Sequence, residues 1–224
     1  PYFFDLGEDK NFTLINKFYV RENPLFLGEY HQAFKNSNFL ADFGYTEGYK
    51  KTSLTKEKGS KSHLFTKFIK NFQGNDGSEN IFSFSTQKVN KNKYLKLYKI
   101  KSNLVDYNKD VLENNLDFTH ESEDIFFGLR ANVYETLKDD YNDKYEYILP
   151  EITLNKNLYS NEVLGSLDLQ SILKVHNYDT NKLSTFQVND LNWNSKNIFF
   201  KNFFKTSFLG SIKNINYETK NIDN

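Results

Sequence analysis

Apolar and polar side chains alternate along much of this chain, and this period of two constrains its fold more than any other feature. In Asp124–Thr136 and in Gly165–Asn177, apolar residues hold one set of alternate positions and mostly polar residues hold the other. Successive side chains of a β-strand point to opposite faces of a sheet, whereas a helical stripe would repeat every 3.6 residues. The pattern predicts an all-β protein whose sheet has one apolar and one polar face.

The runs last roughly 9–13 residues, longer than the usual 5–6 of a soluble sheet and close to a tilted membrane strand. We count about twelve or thirteen of them, separated by short turn-forming clusters and by longer polar connections at 47–62, 138–144 and 177–184. No helix and no second domain is predicted. We expect residues 1–224 to form part of an antiparallel up-and-down transmembrane β-barrel, an open curved sheet in this segment.

The two clearest runs supply the candidate surface residues, because alternate residues of a barrel strand face lipid and lumen. A wet lumen is a sufficient structural reason for the polar set. The lumen-facing candidates are Arg130, Asp168, Gln170, Lys174 and His176. The lipid-facing candidates are Ile125, Phe127, Leu129, Val133, Leu167, Leu169, Leu173 and Val175.

Tyrosines are placed near the ends of many runs. Tyrosine at the boundary between water and lipid forms aromatic girdles, although tyrosine is also favoured in any β-sheet. The members of this set are Tyr94, Tyr98, Tyr107, Tyr145, Tyr147, Tyr159, Tyr178 and Tyr217.

Composition excludes several function classes. The formal net charge is zero, so no basic field favours nucleic acid, and the absence of cysteine excludes thiolate metal sites and disulfides. His120 precedes Glu121, Glu123 and Asp124, which is more simply a carboxylate-rich turn than a metal or acid–base site. The acidic loop 139–143 lacks the spacing of an EF-hand. We expect neither catalysis nor a cofactor.

Several stretches, in order, resemble LptD, the lipopolysaccharide-assembly protein of the outer membrane, also called organic solvent tolerance protein. The opening Pro1–Leu6 and the following Asp9–Leu14 are similar to the start of its barrel, and Pro24–His31 is similar to its "P-L-L-x-G-E-Y-R" stretch. Further similar pieces are Phe39–Tyr45, Ser62–Phe65, Tyr94–Tyr98 and Tyr147–Glu151. Each piece alone is weakly specific, but their order fits along most of the chain.

The resemblance implies transport without covalent chemistry, in the outer membrane of a Gram-negative bacterium. Lipopolysaccharide would arrive along a periplasmic LptA-type bridge, and its sugars would cross a polar lumen partly filled by an LptE-type lipoprotein plug. The polar candidates would then contact its sugar and phosphate groups. Because the chain starts at Pro1 and contains no Met, we expect an internal piece of a longer protein or a processed one. The resemblance implies that the periplasmic N-terminal domain, the first strand or so and the C-terminal strands of the barrel lie outside it.

One family feature carries over only in part. Prolines in early strands are thought to weaken pairing beside the lateral gate for lipid, since proline removes a ladder hydrogen bond. Here Asn16 stands where the family tends to have proline, so only Pro1 is a gate-proximal candidate. Two other function classes stay open from sequence: another outer-membrane barrel, such as a porin or receptor, and a soluble exported β-rich binding protein. The second predicts shorter strands with apolar faces that meet each other.

Overall fold

The computed structural model describes residues 1–53, 56–139, 143–179, 181–200 and 204–221. Within these ranges the chain forms fourteen strands and one short helix. The elements are β1 (Tyr2–Gly7), β2 (Lys10–Lys17), β3 (Leu25–Phe34), β4 (Ser37–Ser53), β5 (Lys56–Gln73), β6 (Glu79–Val89), α1 (Tyr94–Tyr98), β7 (Val111–Glu121), β8 (Ile125–Thr136), β9 (Tyr145–Asn161), β10 (Gly165–Tyr178), β11 (Lys182–Asn194), β12 (Ile198–Phe200), β13 (Phe204–Thr206) and β14 (Leu209–Lys220).

Twelve of these strands form one sheet in which each strand lies beside its neighbour in sequence, from β1 to β11 and then β14. The described pairings are antiparallel, and β12 and β13 pair separately as a hairpin. The predicted all-β class and up-and-down topology are confirmed. The order ends at β1 and β14 without pairing between them, so a closed membrane barrel stays a prediction.

Strand length also agrees with the sequence pattern. From β3 to β11, and in β14, the strands of the large sheet have between 10 and 18 residues. Strands of soluble sheets usually have about 5–6 residues, and a tilted membrane strand needs about 9–11. Length therefore does not favour the soluble alternative.

Three expectations were wrong: two of the polar connections, the position of two tyrosines, and the absence of a helix. The predicted connection at 47–62 is mostly strand, because β4 continues to Ser53 and β5 begins at Lys56. The predicted connection at 177–184 is also mostly strand, because β10 continues to Tyr178 and β11 begins at Lys182. Tyr94 and Tyr98, predicted to lie near strand ends, belong instead to α1. Period-two reasoning missed this helix because a five-residue helix is too short to show a 3.6-residue stripe.

The chain divides into two compact units. Unit 1 consists of Pro1–Asn71, Phe82–Leu116 and Val133–Tyr145, and unit 2 consists of Phe72–Ile81, Asp117–Asn132 and Glu146–Asn224. In unit 1, α1 and the loop after it pack on the sheet and form a buried apolar cluster, in which Tyr94, Leu95 and Ile100 are at most 2% exposed.

Candidate functional site

In unit 2, the lumen-facing candidates share one face of the sheet. Asp168, Gln170, Lys174 and His176 alternate along β10, and the register places Lys174 opposite Glu151 of β9. Residues directly opposite each other in an antiparallel pair project from the same face. Arg130 of β8 joins this face, because its Nη1 lies 3.6 Å from Glu151 Oε1.

Charged groups of this polar face form a row across four strands. Arg130 Nε donates to Asp117 Oδ1 over 2.7 Å, Arg130 Nη1 also approaches Glu151, and Lys174 Nζ lies 4.0 Å from Glu151 Oε2. On β11 and β14, Lys213 Nζ lies 3.1 Å from Asp190 Oδ2. Partly exposed ion pairs each contribute about 0–1 kcal/mol. The row therefore adds little to the stability of the sheet, and its main effect is to make this face hydrophilic.

Beside this row lies a groove of about 380 Å³ that is rich in carboxylates and amides. Asn157 Nδ2 donates to Asp168 Oδ1 over 2.7 Å, whereas the buried Asn155 Oδ1 accepts no hydrogen bond from the residues that the structure describes. Such a surface can accept hydrogen bonds from hydroxyl or ammonium groups. The groove is lined by Glu121, Glu123, Asp124, Asn155, Asp168, Gln170 and Asn192, among others.

The opposite face of unit 2 carries the lipid-facing candidates. Leu167, Leu169, Leu173 and Val175 alternate along β10, and the register extends their face to Trp193, Leu191 and Ile152 on the neighbouring strands. On β8 the candidates Ile125, Phe127 and Leu129 alternate in the same way and are half-buried. Val133, also half-buried, continues the alternation of β8 in unit 1. The face remains open to solvent at its far strands, where Trp193 is 37% and Ile212 70% exposed.

This apolar face is interrupted by a polar row on β10, β11 and β14. Ser171 Oγ donates to Asn189 Oδ1 over 2.6 Å, and Asn189 lies opposite Asn214. The alternation is therefore cleaner on β8 and β10 than towards β14. Ser171 stands among the apolar residues of β10 in the sequence as well, but its continuation to Asn189 and Asn214 depends on strand register.

In unit 1, one face of the sheet carries a row of stacked aromatic rings. Phe12 stacks on Phe4 and on Phe43, with 6.0 Å between ring centroids in each pair. The rings meet over Gly28, where an added Cβ would lie 2.5 Å from Phe43 Cζ. Phe43 and Leu64 lie opposite each other on this face and are 42% and 48% exposed. A large apolar surface thus faces away from the core cluster of unit 1.

The other face of unit 1 carries a buried hydrogen-bonded chain beneath α1. His63 Nε2 lies 3.0 Å from Asp42 Oδ1, and His63 Nδ1 lies 3.2 Å from the Tyr94 hydroxyl. All three residues are at most 5% exposed. A carboxylate oxygen accepts, so the imidazole donates from Nε2 to Asp42 and accepts a hydrogen bond from the Tyr94 hydroxyl at Nδ1. Both ring nitrogens of His63 and the Tyr94 hydroxyl therefore have partners within the protein.

A group of tyrosines continues from this chain. Tyr98 packs against Tyr94, Tyr49 and Tyr19, with ring centroids 5.5, 5.3 and 6.3 Å away. Burial, followed by the neighbouring Tyr49, raises the pKa of Tyr98 to about 12. Burial likewise raises the pKa of Tyr94. Both hydroxyls therefore remain protonated far into the alkaline range.

A second buried carboxylate lies at the end of β8. Glu135 is 1% exposed, and its two oxygens face Lys88 Nζ at 3.4 Å and Lys144 Nζ at 2.9 Å. Both ammonium groups also lie over the ring of Tyr145, 5.8 and 5.5 Å from its centroid. The paired lysines allow the burial of Glu135, which without them would be costly.

Three further predicted positions are Pro1, His120 and the acidic loop 139–143. Pro1 is exposed and precedes β1, at one end of the strand order. Its position beside a lateral gate stays a prediction. His120 Nδ1 lies 2.9 Å from Asn80 Oδ1, and in the described part of the chain no group of three or more His, Asp or Glu is arranged to hold a metal. The acidic loop 139–143 lies partly outside the described residues.

Sequence reasoning missed the side-chain contacts between strands and between α1 and the sheet. Nothing in the pattern pairs Arg130 with Asp117 and Glu151, because these partners depend on strand register. His63 carried a weak signal as part of Ser62–Phe65, but no pattern linked it to Tyr94, 31 residues away. Such links become visible only once the helix is placed on the sheet.

Comparison with known proteins gives no family assignment, since no protein-family model and no curated protein matches this chain. No helix in the described ranges has the length and apolar character needed to cross a membrane.

Proposed function

We propose that this chain forms wall and lumen lining of an outer-membrane β-barrel that inserts lipopolysaccharide into the outer leaflet. The observation that carries the proposal is the separation of the faces. In unit 2 the apolar candidates of β10 share one face, and the opposite face carries the charged row of Asp117, Arg130, Glu151 and Lys174. A sheet with one apolar face open to its surroundings suits contact with lipid acyl chains.

The strand arrangement supports the same proposal. Every backbone group inside a membrane needs a hydrogen-bond partner, which a sheet of neighbouring antiparallel strands supplies everywhere except at its edges. The long unpaired edge of β14, with all 12 residues exposed, would invite aggregation if left open. Closure of the sheet with further strands would remove that edge. A weakly paired seam near β1 and Pro1 would then be the lateral exit for lipid.

The assignment to lipopolysaccharide, and to an LptE-type plug and an LptA-type bridge as partners, rests on the resemblance in the ordered stretches from Pro1 to Glu151. Conduction of the glycolipid needs no covalent step, so no catalytic residue is proposed. The polar face supplies carboxylates, amides and cations, among them Arg130 and Lys174, to sugar and phosphate groups. The aromatic face of unit 1 supplies the lipid-facing wall.

Photo-crosslinking in cells tests this function. A photoreactive amino acid at Gln170, on the polar face, is expected to form an adduct that antibodies against lipopolysaccharide recognise. The same probe at Leu169, one residue away on the apolar face, serves as the matched control and is expected to capture phospholipid. Membrane insertion without any lipopolysaccharide adduct at Gln170 would favour another outer-membrane barrel.

A further inference from the structure

The segment between β6 and β7 is attached to the sheet in an unusual way. We name residues 91–109 the strap; it contains α1 and the loop that follows. Its described backbone-to-backbone hydrogen bonds all have both partners inside the strap, as between Leu97 N and Lys93 O or Ile100 N and Leu95 O. The β-sheet ladder therefore stays intact whether the strap is docked or not.

Backbone hydrogen bonds from Asn90 to Ser62 and from Leu137 to Asp110 anchor the residues on either side of the strap. Between these anchors, side chains hold the strap in place. Tyr94, Leu95, Ile100 and Val105 are at most 4% exposed in the cluster that they form with the sheet. The described polar contacts to the sheet include Tyr94 to His63 and Asn103 Nδ2 to Glu29 Oε2, the latter 3.1 Å long. Opening of the strap therefore breaks side-chain contacts only, whereas opening of a ladder strand also breaks backbone hydrogen bonds.

The surface beneath the strap combines polar and apolar side chains. On the face opposite the stacked phenylalanines, Asp42, His63, Thr46 and Lys61 are each at most 5% exposed and lie among buried residues such as Leu25 and Leu27. Release of the strap would expose this mixed set to water. Buried polar groups that are covered by a segment outside the β-ladder are arranged as they are beneath the lid of a gated site.

We propose that the strap is a detachable lid on the face of unit 1 that carries Asp42 and His63, and that the Asp42–His63–Tyr94 chain holds it closed. Loss of the Tyr94 hydroxyl leaves the buried His63 Nδ1 without its partner, and an unsatisfied buried group is more costly than the bond itself. The open population then rises while the sheet remains folded. This proposal does not depend on the identity of the transported molecule.

The chain has no cysteine, which makes a direct test possible. Val89, 5% exposed in the cluster under the strap, is replaced by cysteine, and its reaction with a maleimide is followed in the detergent-solubilised protein. Adding Tyr94→Phe is expected to raise the labelling rate about tenfold. Tyr107→Phe, a hydroxyl removed from the same strap but outside the chain to His63, is expected to leave the rate unchanged.

Hydrogen exchange of the protein without any substitution provides the second measurement. Amides of 94–100 are expected to exchange well before those of 42–46 in β4 and 61–65 in β5. Exchange of all three segments at one common rate would overturn the proposal, because the strap would then open only with the whole unit. Equal labelling rates in the Tyr94→Phe and Tyr107→Phe variants would overturn the role of the hydrogen-bonded chain.

Discussion

Arg130 of β8 donates from Nε to Asp117 Oδ1 of β7 over 2.7 Å, and its Nη1 lies 3.6 Å from Glu151 of β9. One guanidinium thus joins three strands on the face that also carries Lys174. The neighbouring Leu129 is half-buried and belongs to the alternate, apolar set. One residue step along β8 therefore separates two chemically different surfaces, which a lipid-embedded sheet requires and a fully solvated one does not.

Exchange of Leu129 for arginine tests this separation. If the apolar face contacts acyl chains, Leu129→Arg is expected to destabilise the protein in lipid vesicles by roughly 2–4 kcal/mol, since a cation is placed near the bilayer midplane. Gln170→Arg, on the exposed polar face, is the control and is expected to change stability by about 0.5 kcal/mol or less. Guanidinium unfolding of the vesicle-bound variants measures both. Equal losses would contradict the assignment of faces.

Gly44 is expected to be intolerant of a side chain. An added Cβ would lie 2.5 Å from His63 Cε1 and 2.7 Å from Leu27 Cδ2, so Gly44→Ala must displace the imidazole from Asp42. Overpacking of this kind costs about 1–3 kcal/mol. At Gly210 the nearest atom, Trp193 Cε3, would be 3.5 Å away, and Gly210→Ala is expected to be close to neutral. Chemical denaturation of the two variants gives the comparison, and similar stabilities would show that His63 moves freely.

Alkaline pH is expected to release the strap. The folded-state pKa values of Tyr94 and Tyr98 lie above the ordinary value of 10.0, so their contribution to docking is complete below pH 10 and is lost as pH rises further. Absorbance of tyrosinate should show a late fraction that titrates near pH 12, together with faster exchange of the strap amides. Titration of all tyrosines near pH 10 would contradict the buried cluster. The ionisable groups that surround the two hydroxyls are Asp42, His63, Lys61, Tyr49, Tyr19 and Glu22.

Glu135 offers a test of charge pairing. Its carboxylate is buried between Lys88 and Lys144, so Glu135→Gln removes both ion pairs while it keeps the shape of the side chain. A loss of about 1–3 kcal/mol is expected, because hydrogen bonds to a charged group are replaced by weaker ones. Glu121→Gln, at the exposed end of β7, is the control with little expected effect. The midpoint of denaturant unfolding measures both variants.

The sequence predicted those parts of the fold that depend on local alternation. Strands β8 and β10, and the polar or apolar assignment of Leu169 and Gln170, follow from a period of two and agree with the observed register. Contacts that depend on register or on tertiary packing could not be predicted. The pairing of Arg130 with Asp117 joins neighbouring strands in a register that alternation does not set. The contact of Glu135 with Lys88 and the docking of Tyr94 on His63 join residues 47 and 31 positions apart. The helix α1 could not be predicted either, because tertiary packing stabilises so short a helix and leaves no periodic pattern in the sequence.

The central claim is that alternate residues of β10 face lipid and water, and spin-label accessibility tests it most directly. Single cysteines at Leu167, Asp168, Leu169 and Gln170 are labelled, and the protein is placed in lipid vesicles. Collision with oxygen is expected to be highest at Leu167 and Leu169, and collision with a water-soluble nickel complex highest at Asp168 and Gln170. If Leu167 and Leu169 are shielded from both reagents, a second layer covers the apolar face and the barrel account is wrong.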